Sequence, residues 1–310
     1  MAMDYRTYGG IFQHGIGKGF RFSFRHGSSL TRLIYINCAI FLSLKILYVL
    51  FLLVGKGQNF YDNLLEWVGV PAYPENLLYT PWTPLTYMFT QFGFTHLLFN
   101  MLWLYWFGGL FLDYFTERQL TGVYLLGGIA GAALYIAAYA VFPYFDTYTR
   151  MSSWAIGSSA SVMAIVFAIC TYLPHHKVYI FLIGPVKLLY LAIFTAIIDF
   201  LSIPYGNSGG HIAHLGGAFL GWLFILGVRH NNDYVNAFTG FLERVPRLFS
   251  LKRKIRVKYK KTVSQMNDRE YNDYKKRQED RINEILDKIS KSGYESLSRE
   301  EKEILFRGRN

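Results

Sequence analysis

The chain has 310 residues, 52% of them hydrophobic and 18% aromatic, and its 32 Lys and Arg against 21 Asp and Glu give a formal net charge of +11. With a mean hydropathy of +0.18 and its apolar residues gathered into blocks, it is too apolar for an ordinary soluble protein of this basicity. The charge therefore reads as a membrane-topology signal, which sets nucleic-acid binding aside. Cys38 and Cys170 lie in separate apolar runs and read as buried thiols, not a disulfide.

In chain order, residues 1–32 read as a cytoplasmic N-terminal segment. Arg6, Lys18, Arg21, Arg25 and Arg32 precede the first span over too great a length for the n-region of a signal peptide, and they hold this end inside. Apolar blocks then predict six spans, near Leu33 to Val54, Phe94 to Leu112, Leu120 to Phe142, Ser159 to Leu173, Val178 to Leu201 and Ile212 to Val228. The fold class expected is all-α, a polytopic six-helix membrane bundle over residues 33–228. The first loop, poor in basic residues and carrying Asp62, Glu66 and Glu75, reads as exterior. Gly127 with Gly131, and Gly217 with Gly221, read as close-packing seams between helices.

Residues 229–276 read as a basic linker, including the run Lys252-Arg253-Lys254-Ile255-Arg256, and 277–310 as a small helical hairpin. In the hairpin Ile282, Ile285, Leu286 and Ile289 recur at helical spacing, Gly293 stops the first helix, and Ser298 with Glu301 forms a capping box before Ile304 and Leu305. Such a small unit suits docking on a cytoplasmic partner or on the membrane face.

Three polar motifs interrupt the apolar blocks. Gly157-Ser158-Ser159-Ala160 opens the fourth span, where a serine between small residues at a helix start can approach a substrate backbone. Ala213-His214-Leu215-Gly216-Gly217 opens the sixth and supplies a candidate base. His96 and Asn100, at i and i+4, offer two polar side chains to one point in the second. With the N-terminus inside, these three spans all run inward, so the three motifs converge at one depth.

Taken together, these motifs resemble those of the rhomboid family of intramembrane serine proteases over roughly residues 81–228: G-x-S-x at Gly157 and Ser159, A-H-x-x-G at His214 and Gly217, H-x-x-x-N at His96 and Asn100. The resemblance implies a membrane-embedded enzyme that cleaves other transmembrane proteins within the bilayer of the cell membrane, with both termini cytoplasmic. Ser159 would be the nucleophile, His214 the base, and His96 and Asn100 would hold the oxyanion. The family also places a partly embedded loop after the first span, often with a Trp-Arg pair, where this chain has Trp82-Thr83; residues 202–210 would form a cap over the site. A silent member of the same fold that escorts membrane clients is the second reading, and the intact serine and histidine speak against it.

Among competing assignments, His211 is expected in the loop before the A-H motif, and His175 and His176 beside Lys177 read as an interfacial cluster. A metal site is not expected, because no carboxylate accompanies the histidines at ligand spacing, and no organic cofactor is implied. Asp113 and Asp199 could complete a triad, but neither sits at the outer end of an inward-running span, so a serine-histidine dyad is expected.

Overall fold

A computed structural model describes residues 27–180, 184–232, 234–249 and 266–307. The basic residues Arg6, Lys18, Arg21 and Arg25, and the run 252–256, lie outside the described residues. The chain divides into units 1–250 and 251–310.

The helices and strands are α1 (Ser29–Leu53), α2 (Gly57–Val68), β1 (Val70–Pro71), α3 (Thr83–Thr86), α4 (Phe94–Leu112), α5 (Glu117–Val141), α6 (Thr147–Met151), β2 (Trp154–Ala155), α7 (Ser159–Tyr172), β3 (Lys177–Ile180), β4 (Gly184–Lys187), α8 (Leu188–Ser202), α9 (Ser208–Arg229), α10 (Tyr234–Phe249), α11 (Asp268–Ser292) and α12 (Arg299–Arg307). Among the described residues, five helices are long and apolar enough to cross a bilayer: α1, α4, α5, α9, and α8 with the turn that follows it to Tyr205. Their outward faces carry large exposed apolar side chains, such as Leu42, Ile46 and Leu50 on α1, Leu98 and Trp106 on α4, and Phe194 and Ile197 on α8. A surface of this kind needs lipid around it. The chain is a polytopic, all-α integral membrane protein.

Among the boundaries that differ from the sequence reading, two bear on the helices around the site. The fifth span does not begin at Val178. Residues 177–180 pair antiparallel with 184–187 in a hairpin, and the helix starts at Leu188. Val178, Tyr179 and Ile180 favour extended backbone, while Gly184, at φ 91°, and Pro185 cannot continue a helix. The sixth span starts at Ser208 rather than Ile212, which places His211 inside the helix. Within the stretch read as a linker, α10 is amphipathic and docks on α5: Arg118 Nε donates to Thr239 Oγ1 at 2.9 Å, and Val235 and Thr239 fill the space beside Gly122.

The centre of the bundle is α7. Its 14 residues include nine that are buried, from Ala160 to Cys170, and α4, α5, α8 and α9 all pack on it. Close approach comes from small residues on both sides. A side chain at Gly131 of α5 would meet Ala160 Cβ at 2.6 Å. On α9, side chains at Gly217 and Gly221 would run into the backbone carbonyls of Ala160 and Ala164. Backbone cannot yield as a flexible side chain can, so these glycines fix the spacing of three helices.

In the second unit, Asn267 and Glu270 close a capping box at the start of α11, and Gly293 at φ 77° ends it. The Ser298–Glu301 box is formed in both directions, at 2.7 and 3.3 Å. Lys288 Nζ lies 2.8 Å from Glu301. That hydrogen bond and the Ser298 amide push the Glu301 carboxyl down to about 2. Ile285 and Leu297 are buried between these elements.

The packing generates a paired expectation. Gly221→Ala should lower the thermal midpoint by the equivalent of roughly 1–3 kcal/mol through overpacking. Gly109→Ala on α4, where nothing lies within 4 Å, should leave it unchanged or raise it by up to ~1 kcal/mol through helix propensity. Equal midpoints for the two variants in the same detergent would refute the seam.

Candidate active site

The site forms where the start of α7 meets the first turns of α4 and α9. Gly157 has φ +132°, a conformation that L side chains resist, and its amide donates to the Tyr87 carbonyl at 3.0 Å. A side chain there would meet His96 Cε1 at 2.8 Å and would lie 3.6 Å from both His96 Nε2 and Ser159 Oγ. The missing side chain thus leaves a space bordered by the Ser159 hydroxyl and the His96 ring. Ser159 is the first residue of α7, so the unpaired amides of a helix start lie beside its hydroxyl.

Two cavities meet at Ser159. One, of about 460 Å³, is bordered by His96, Tyr135, Tyr139, Ser153 and Gly209. The other, of about 220 Å³, runs past Asn100, Met163, Asp199 and His214. The structure therefore brings Ser159, His214, His96 and Asn100 to one place, with Gly157 at its edge and Gly217 behind it on α9. The Ser159 hydroxyl makes no hydrogen bond among the described residues.

Asp199 lies beside His214, where the sequence pattern places no acid. His214 Nδ1 lies 2.9 Å from Asp199 Oδ1. A carboxylate only accepts, so in the neutral ring the bond places the His214 proton on Nδ1 and leaves Nε2 with a free lone pair. The sequence reading rejected Asp199 on the direction of its span. What matters is the level of the span's end: α8 and α9 are joined by the short stretch 203–207, so the last turn of one lies beside the first turns of the other. His211 is corrected on the same ground, for its Nδ1 lies 2.8 Å from the same Oδ1. Although no carboxylate stands at ligand spacing in the sequence, the fold brings Asp199, His211 and His214 into one cluster. His175 and His176 lie beyond the far end of α7, and Asp113 is the C-terminal cap of α4.

A buried amide network supports Asn100. Asn100 Nδ2 donates to Gln91 Oε1 at 2.9 Å, and Gln91 Nε2 donates to Ser158 Oγ at 3.0 Å and to Asn37 Oδ1 at 3.2 Å. Asn37 Nδ2 donates in turn to Tyr124 OH, at 3.0 Å, and Tyr124 to the Met88 carbonyl, also at 3.0 Å. All five side chains are buried. Because an amide nitrogen carries two protons, Asn100 keeps a second donor beyond the one given to Gln91. Asn37 and Gln91 escaped the sequence reading, although a lone amide in an apolar span is itself a signal. Ser158, next to Ser159 in the sequence, belongs to this network.

The loop that carries Gln91 is held without an arginine. Trp82 stacks on Trp67 at 5.8 Å between ring centroids and donates from Nε1 to the Trp67 carbonyl at 2.8 Å. Thr83, standing where the family often has arginine, is fully buried and donates to the Thr80 carbonyl at 2.9 Å. Strands β1 and β2 pair Val70 with Ala155 and so join this loop to the segment entering α7.

Known proteins resemble this chain over the region that contains these helices. Residues 79–231 match the Rhomboid domain model, and 266–307 match a family of unknown function, DUF6576. The chain is 31% identical over 144 residues to RHOMBOID-like protein 12, mitochondrial, of Arabidopsis thaliana, a match that covers 44% of this chain and 43% of that protein. It is 27% identical over 140 residues to Presenilin-associated rhomboid-like protein A, mitochondrial, of Danio rerio, covering 44% and 35%. With Rhomboid protease GlpG of Haemophilus influenzae it shares 28% identity over 176 residues, covering 56% and 83%. The chain thus spans less than half the length of the first two relatives. With this match lying over the helices that build the site, the chain belongs to the rhomboid family.

Proposed function

We propose that this protein is an intramembrane serine protease that hydrolyses peptide bonds in or near the transmembrane segments of other membrane proteins. The observation that carries the reading is the meeting of Ser159, His214 and Asp199 on one cleft of about 220 Å³ in the bundle. The name of the Haemophilus influenzae relative, a rhomboid protease, supports it. The tautomer that Asp199 imposes leaves His214 Nε2 free to take the Ser159 proton as Oγ attacks the scissile carbonyl. Ser159 and His214 share a cleft without a hydrogen bond between them, as catalytic pairs often do before substrate arrives.

The developing oxyanion would lie in the space beside Gly157, near the His96 ring, the Asn100 amide and the first amides of α7. Collapse of the tetrahedral intermediate returns the proton from His214 to the leaving amine and leaves an acyl-enzyme on Ser159. Water, deprotonated by the same imidazole, then attacks the acyl carbon and frees the serine. No metal or organic cofactor enters these steps. The partners are transmembrane substrates in the surrounding lipid, with a cytoplasmic partner for the second unit. Both termini face the cytoplasm, as the basic residues before the first span favour, and the protein resides in the cell (inner) membrane.

Labelling with a fluorophosphonate tests the core of this reading. Wild type should label, Ser159→Ala should not, and Ser159→Ala, His214→Ala and the double variant should lose cleavage of a transmembrane reporter to a similar depth. Labelling that persists in Ser159→Ala would place the nucleophile elsewhere.

Asp199→Asn separates a triad from a dyad. It should lower kcat at least tenfold, towards the ~10⁴-fold that the corresponding change costs in soluble triad enzymes. A kcat within twofold of wild type, in a variant with an unchanged melting temperature, would return the mechanism to a dyad.

For the oxyanion, Asn100→Ala should lower kcat by roughly 10²- to 10³-fold while Ser159 still labels. Lower stability with turnover per folded molecule intact would confine Asn100 to the buried network.

A further inference from the structure

We infer that Asp199, His211 and His214 form a binding site for a zinc-class divalent ion, and that its occupation switches His214 off. The consequence for His214 rests on the reading of that residue as the general base; the binding site does not. His211 and His214 stand at i and i+3 on one face of α9, and their Nδ1 atoms lie 2.8 and 2.9 Å from one carboxylate oxygen. Each residue's ligand atom falls within 4.8 Å of the others. Zinc bonds of about 2.0–2.1 Å in a tetrahedral site set neighbouring ligand atoms roughly 3.3 Å apart. The carboxylate–imidazole edges therefore need to open by only a few tenths of an ångström, and the imidazole–imidazole edge to close. Two imidazoles with one carboxylate suit zinc or cobalt rather than calcium or magnesium.

The ion has a way in and a place for water. Asp199 and His214 border the 220 Å³ cleft beside Ser159, and the three side chains keep between 10% and 22% of their surface exposed. Three protein ligands leave a fourth position, open towards that cleft. Binding moves protons in a defined way. Each imidazole now holds its proton on Nδ1; a metal on Nδ1 leaves a neutral ring with the proton on Nε2. His214 then has no lone pair for the Ser159 hydroxyl, and Asp199 is withdrawn into the metal's coordination.

The test uses the purified full-length chain and cobalt(II) as a visible probe. Wild type should give the ligand-field absorption of a tetrahedral site, displaced by zinc. His211→Gln and Asp199→Asn should lose it, with affinity falling more than the ~10- to 100-fold typical of changes to outer-shell partners. His175, His176 and His230 are the same in every variant, so the difference between spectra reports this cluster. In parallel, zinc should slow fluorophosphonate labelling of wild type, chelation should restore it, and His211→Gln should need more than tenfold more zinc for the same fractional slowing. Absence of the band from wild type, or an equal band in His211→Gln, would overturn the site. Zinc that binds through the cluster without slowing labelling would overturn the switch. Should Ser159 fail to label under any condition, the hydrolase reading falls while the cobalt spectra still decide the binding site.

Discussion

Everything in this bundle follows from a helix too short for the membrane it lives in. At 14 residues, α7 extends about 21 Å, against a hydrocarbon core of ~30 Å, so its polar start must lie inside protein. An unpaired helix terminus in lipid would cost several kcal/mol per group. The neighbouring helices therefore surround it, and the glycines of α5 and α9 bring them close enough to exclude lipid. What remains around that terminus is a polar space with unpaired amides, a serine and imidazoles. The conditions for chemistry and for enclosure are here the same.

The polar groups divide into two sets with different roles. Asn37, Gln91, Ser158, Asn100 and Tyr124 bond among themselves away from water, which makes them costly to disturb and suited to fixing positions. Ser159, His96, His214 and Asp199 line open cavities and keep bonding capacity in hand. Asn100 joins the sets, with one amide proton committed and one available. The closed set fixes positions, and the open set keeps its polar atoms available to the cavities.

Much of this was legible in the sequence because the relevant signals are local. Ser159, His214, His96 and Asn100 each sit in a short motif inside an apolar block. What escaped depends on juxtaposition. Asp199 was judged by the direction of its own span, when the short turn to α9 sets its level. Gln91 sits in an aromatic loop whose path no periodicity reveals, and its bonds reach residues 54 and 67 positions away. The β3–β4 hairpin was absorbed into an apolar run because Val178, Tyr179 and Ile180 are as hydrophobic as helix residues; Gly184-Pro185 was the signal against it.

The stacked pair Trp67 and Trp82 has a consequence for where such a protein can work. An arginine in this loop would draw part of its hold from lipid phosphates, and that hold would vary with headgroup charge and ionic strength. Here the loop rests on aromatic contact and a neutral hydrogen bond within the chain, neither of which salt screens. The seat of the loop is thereby uncoupled from the charge of the surrounding lipid, and a bilayer that changes its anionic content leaves Gln91 and its bond to Asn100 where they are.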